Sequence, residues 1–163
     1  MAFKEYGDYD GVGLADLVRK KQVSATELLD EAIARTAKVD PRINAVVVKH
    51  YDYARQQIDK GLPDGPFTGV PFLLKDLEIL QGTRTTMGAS VFKDNVADHT
   101  GTLAQRFLNA GLTIFGKSSS PEFGLLPTSE CRLFGPTRNP WNLDHSSGGS
   151  SGGAAEPGEV KVK

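Results

Sequence analysis

The sequence predicts a layered α/β domain, and three stretches carry that prediction. Thr102 to Asn109 reads as a helix, Gly111 as the left-handed residue after it, and "LTIFGK", residues 112–117, as the strand that follows. Helix, glycine, strand is the αβ half of a layered α/β domain. "GVPFLLKD", residues 69–76, sets a short continuous apolar run immediately before Lys75, the pattern of a strand buried on both faces. "INAVVV", residues 43–48, is rich in β-branched side chains and reads as a further strand.

Taken in order, residues 12–39 form two helices. The second opens on Ser24-Ala25-Thr26-Glu27, a capping box in which Ser24 and Glu27 satisfy each other's orphan backbone N–H groups. Leu28, Leu29, Ala32, Ile33 and Thr36 recur at helical spacing and make one apolar stripe, so this helix is peripheral and packs by one face. The stripe can lie on its own domain or on a second copy of the chain in a homo-oligomer. Asp40-Pro41 is expected to stop the helix, because proline has no N–H to continue it. The α/β core starts at about residue 43. A polar helical segment spans Tyr51 to Lys60, and "GLPDGPFTG" is a loop by its glycines and prolines. Residues 82–98 lack periodicity and read as a loop or mobile cover. In the helix from Thr102, Leu103 and Phe107 stand one turn apart. "SSSPEFG", "LPTSE" and "GPTRNPWN" then make a long irregular region of the kind that carries function.

Composition narrows the function. Nineteen basic against twenty acidic residues give a net charge of -1, which disfavours nucleic acid or an anionic membrane as a partner. At 163 residues and 39% hydrophobic, the chain has the length and apolar content of one domain. The single cysteine, Cys131, has no partner for a disulfide or metal-ligand pair; it reads as a small buried hydrophobe and suits a reducing cytoplasm. "MAFKEYGDYDGVG" lacks the basic and apolar blocks of a signal peptide, and no apolar run is long enough to span a bilayer. His50, His99 and His145 are scattered, which argues against a metal site or a Ser-His-Asp triad.

Two places hold chemistry. Burial penalises the ammonium form of a lysine and so makes a general base of it; Lys75, at the end of an apolar run, is placed for that, or else it reaches solvent or pairs with Asp76. "SSGGSSGGAA", residues 146–155, has a linker's composition, yet "GPTRNPWNLDH" runs into it with a tryptophan and two prolines, which a tether does not need. A phosphate cradle begun at Gly148 puts Ala154 where the lysine belongs. A placed loop remains.

Together, "GVPFLLKD", "GKSSSPEFG" from Gly116, "FGPTRNPWN" from Phe134 and "GGSSGG" from Gly148 resemble the amidase signature family, with all four motifs in the family's order over residues 10–155. Within it the sequence is most similar to bacterial amidases of the nylon-oligomer cyclic-dimer hydrolase type. The resemblance implies the N-terminal portion of the amidase signature fold, a mixed central sheet flanked by helices. It also implies a Ser-cisSer-Lys amide hydrolase acting on small-molecule amides without a cofactor. Lys75 matches the family's general base and Ser150 its cis-serine, whose hydroxyl can accept and donate a proton at once. The loop at Thr128 and Ser129 matches the family's loop beside the substrate, with Ser129 expected to steady Lys75 or the acyl group. Ser151 is expected to pack or cap its loop, or else to hydrogen-bond within the site without a catalytic part, and Arg138 to fix its loop rather than bind substrate.

The sequence departs from the family after about Glu156. The family continues as an alanine-rich helix toward the nucleophilic serine and oxyanion hole; here "EPGEVKVK" follows, whose four charges in eight residues read as a solvated tail over 156–163. Residues 1–155 are therefore expected to be part of an amidase domain that alone is inactive, or a non-catalytic binding or vestigial module. If the chain stops at residue 163, apolar surface is expected to lie exposed on "FLLK" and "LTIF", with poor stability as the result.

Overall fold

In the computed structural model, which describes residues 3–154, the chain enters through a 3-10 turn at Lys4–Asp8 and forms helix α1 (Gly11–Arg19). The tail expected at 156–163 and the boundary at 155 lie outside the described residues. The carboxylate of Asp10 caps α1 by accepting from Gly13 N at 2.7 Å. Helix α2 (Ala25–Ile43) has the expected capping box: Ser24 Oγ accepts from Glu27 N at 3.2 Å, and Glu27 Oε2 from Ser24 N at 2.9 Å.

Pro41 does not stop α2. The helix runs through it to Ile43 and ends where Asn44 turns left-handed, with φ 55. So near the C-terminus, the missing proline N–H removes only one bond of the ladder. Asp40 shapes the exit, its buried Oδ1 accepting from Ala45 N at 2.7 Å and Val46 N at 2.8 Å. Strand β1 is accordingly Val46–Lys49, and Ile43, expected to begin it, belongs to the helix.

Helix α3 (Tyr51–Asp59), strand β2 (Pro71–Lys75), helix α4 (Thr102–Asn109) and strand β3 (Thr113–Ser118) complete the layered part. Gly111 follows α4 at φ +87, where a Cβ would stand 2.6 Å from Thr68 Cα, so the turn into β3 requires glycine. The sheet order is β1-β3-β2, with β1 antiparallel and β2 parallel to β3. It is thus a mixed sheet, with Leu74 opposite Lys117 and Lys75 opposite Ser118.

Successive strand residues face opposite ways, and β3 uses this to bind helices on both faces. Phe115 packs with Leu29 and Ala32 of α2 and Ala54 of α3, while Ile114 packs with Leu74, Leu80 and Ala104 of α4. A third cluster, with Leu14, Val23, Leu28, Val70 and Leu112, joins α1 and α2 to the sheet end. "LTIF" is consequently buried at every position, against the expectation of exposure, because β3 is the central strand. Phe72 and Leu73 are half-buried, and of "FLLK" only Leu74 is fully enclosed. Leu103 points outward at 45% exposure; Ala104, Phe107 and Leu108 are the inward face of α4.

The region read as irregular contains two short antiparallel ribbons. Strands β4 (Glu130–Cys131) and β5 (Gly135–Pro136) make one, β6 (Arg138–Asn139) and β7 (Asn142–Ser146) the other. Residues 82–98 stay irregular apart from a 3-10 turn at Ser90–Phe92 and a bridge between Arg84 and Val96. Cys131 is buried, as expected of a small hydrophobe. Among the described residues no helix is long and apolar enough to cross a membrane.

Candidate active site

Lys75 ends β2, where the strand leaves the sheet, and its amine meets the serine-glycine loop. Its Nζ donates to Ser150 Oγ at 2.8 Å and to Ser151 Oγ at 2.9 Å. The peptide bond between Gly149 and Ser150 is cis. Burial lowers the Lys75 pKa below the usual lysine value, against a smaller opposing pull from the Glu78 carboxylate. The site thus joins an amine of weakened basicity to two hydroxyls, either of which can exchange a proton with it.

The loop is pinned from three sides. Gly149 lies against the backbone of Pro127 and Thr128, so a Cβ there would stand 2.7 Å from Thr128 N. Thr128 therefore borders the site through its backbone. Ser129 is fully buried, and its Oγ accepts from Gly152 N at 2.9 Å, so the contact it makes is with the loop rather than with Lys75. Gly153 N donates to Ser119 O at 3.3 Å, and Ser119 N in turn donates to Ala45 O at 2.8 Å. A relay of bonds extends this support to the end of α2: Thr137 N donates to Ser129 O at 2.8 Å, and Thr137 Oγ1 to Asn44 O at 2.9 Å. Arg138 stays within its ribbon, donating to Leu143 O at 2.9 Å.

Sequence reasoning passed over Lys117 and left Ser151 as a loop-holding hydroxyl, with hydrogen bonding within the site as its alternative. Ser151 touches the amine as closely as Ser150 does. Lys117, in "LTIFGK", ends an apolar run just as Lys75 does, and that shared signal could have found it. Its side chain is fully buried, and Nζ donates to Glu78 O at 2.8 Å and to Thr85 Oγ1. Burial lowers its pKa to about 8, with the Asp76 and Glu78 carboxylates pulling the other way. Among the described residues no group of three His, Cys, Asp or Glu side chains is placed to hold a metal ion. A cavity of about 240 Å³ lined by Thr85, Met87, Ala97 and His99 has neither Lys75 nor Ser150 in its wall.

The Amidase family model matches residues 27–156, most of the chain and all of this site. The chain belongs to the amidase family. It is 44% identical over 148 residues to the 6-aminohexanoate-cyclic-dimer hydrolase of Paenarthrobacter ureafaciens, covering 89% of this chain and 30% of that protein. A lipoamidase of Enterococcus faecalis is 41% identical over 153 residues, covering 92% of this chain and 21% of the relative. The solved structure of a 6-aminohexanoate cyclic dimer hydrolase superposes with a TM-score of 0.83 at 42% identity, over 89% of this chain and 30% of that one. This amidase chain thus spans under a third of the length of those relatives, and its mixed sheet with flanking helices is the corresponding part of their fold.

Proposed function

We propose that Lys75 and Ser150 are the general base and the proton relay of an amide hydrolase of the Ser-cisSer-Lys type. The observation that carries this is the 2.8 Å contact between Lys75 Nζ and Ser150 Oγ, made by an amine whose basicity burial has lowered. An amine that spends part of its time neutral can accept a proton from Ser150 Oγ, which refills from the attacking serine hydroxyl; that hydroxyl, losing its proton as it attacks, adds to the amide carbonyl. The tetrahedral intermediate collapses to an acyl-serine, and the departing nitrogen takes its proton back along the same path. Water then releases the acid. No cofactor enters the scheme, and the substrate class is a small-molecule amide. Ser151 gives the amine a second hydroxyl contact that holds Nζ in place while Ser150 exchanges protons.

On this reading the 163 residues supply the base and the relay but neither the attacking serine nor the oxyanion donors, so the chain by itself is proposed to be an incomplete catalyst. The lone, buried Cys131 thiol is in keeping with a reducing, cytoplasmic setting. The test joins residues 1–154 to the remaining portion of the 44% identical cyclic-dimer hydrolase and assays aliphatic and aryl amides. Turnover by the chimera, lost on Lys75→Ala and cut at least about a hundredfold by Ser150→Ala, is the expected result. A folded, active chimera indifferent to Lys75→Ala would refute the assignment, and turnover by the 163-residue chain alone would refute its incompleteness.

A further inference from the structure

Asp76 and Lys117 are both fully buried, and neither touches Ser150 among the bonds of the site. Their bonds converge instead on the turn that leaves Lys75. Asp76 N donates to Ser118 O at 3.0 Å, and Glu78 N to Lys75 O at 2.9 Å, which fold residues 75–78 back on the sheet end. The Asp76 carboxylate accepts from Thr86 N at 3.0 Å, from Thr86 Oγ1 and from Gly88 N at 3.4 Å. Lys117 Nζ binds Glu78 O at 2.8 Å and Thr85 Oγ1. One buried charge of each sign therefore ties the 75–78 turn to residues 85–88. A buried charged side chain is costly unless it is hydrogen-bonded, and the bonds that each makes here fix the turn.

We propose that Lys117, together with Asp76, is a positioning residue for Lys75: the two buried side chains, each through its own hydrogen bonds, clamp the 75–78 turn and so keep the Lys75 amine placed against Ser150 and Ser151. This rests on the reading of Lys75 as the base. The ionisable groups that act on Lys117 are Asp76 and Glu78, and His50 feels its charge in turn; Glu78 also faces Lys75. With the clamp released, the Lys75 amine loses its seat against the loop and its partial burial, and its protonation midpoint climbs back toward the ordinary lysine value.

Competitive acetylation of the full chain with acetic anhydride, from about pH 6 to about pH 11, reads this midpoint when the Lys75 peptide is quantified by mass spectrometry. Exposed Lys20 and Lys60 serve as internal references. Lys117→Met and the milder Thr86→Val, which removes the hydroxyl from Asp76, are each expected to raise the Lys75 midpoint toward the ordinary lysine value. The readout is slower labelling of Lys75 below the midpoint, with the circular dichroism and the reference profiles unmoved. A folded variant whose Lys75 midpoint stays at the wild-type value overturns the proposal; if Lys117→Met does not fold, Thr86→Val decides on the same terms. An ordinary Lys75 midpoint in the wild-type chain is a different failure, since it removes the base reading itself.

Discussion

Lys117 should make this protein more stable as the solution becomes alkaline. Its pKa stands at about 8 in the folded chain against 10.5 for an ordinary lysine, because the folded state buries the ammonium. Between those values the unfolded chain binds the proton more fully than the folded one, so unfolding free energy rises with pH, by up to about 1.4 kcal/mol per unit. Integrated from pH 7 to pH 10, the gain is about 2–3 kcal/mol. Lys75, also lowered by burial, adds to it in the same direction. Tyr6, Tyr51 and Tyr53, raised by burial, act oppositely once the unfolded tyrosines begin to ionise near pH 10. The comparison with Lys117→Met cancels the tyrosines, and any rise of the Lys75 midpoint in that variant adds to the difference with the same sign. Urea unfolding at pH 7, 8, 9 and about 10 gives the two curves. Wild-type stability minus variant stability should rise by about 2–3 kcal/mol across the range, whatever offset the lost bonds to Glu78 and Thr85 impose. Parallel curves would refute the reasoning, since they would mean that Lys117 titrates alike in folded and unfolded chains.

Three further outcomes follow from particular contacts. His50 has both ring nitrogens buried without a hydrogen-bond partner among the described residues, and its pKa is lowered to about 4, by burial first and then by Lys117 and Arg84; stability should fall as pH drops from 6.5 toward 4, and His50→Phe should flatten that acid limb in thermal melts. Asp40→Ala leaves Ala45 N and Val46 N without their acceptor and should cost about 2–4 kcal/mol in chemical denaturation; a loss under about 0.5 kcal/mol would show that water replaces the carboxylate freely. Gly149→Ala drives a Cβ to 2.7 Å from Thr128 N and 2.8 Å from Pro127 C, both backbone atoms unable to swing aside. The loop must shift, and in the active chimera turnover should drop at least about tenfold with little change in melting temperature.

How much of this could be read from the sequence depends on the range over which each feature acts. The capping box at Ser24, the glycine after α4 and the apolar run before Lys75 are local and were legible, because a few adjacent residues state them in full. Pro41 misled, since the competing signal, Asn44 turning left-handed over Asp40, depends on a side-chain bond that no pattern of hydrophobicity encodes. The ribbons β4–β5 and β6–β7 include strands of two residues, too short for alternation to show. Lys117 carried the same apolar-run signal as Lys75, but "SSSP" behind it reads as a turn. Its burial comes from residues 85–88, which cross the sheet end from elsewhere in the chain. The glycines of the 146–155 loop were legible as a placed loop, whereas which backbone each one meets was not.

The contact between Lys75 and Ser150 joins groups 75 positions apart in the chain. Closing so long a loop carries an entropic penalty that only the completed β2-β3 pairing and the seating of Gly153 on Ser119 can offset. The amine therefore meets its hydroxyl partners late, after the sheet has formed around β3. Its chemical reactivity is in consequence a clock for the final stage of folding: a pulse of electrophile during refolding would mark Lys75 as ordinary until the loop docks, and as distinct only afterwards.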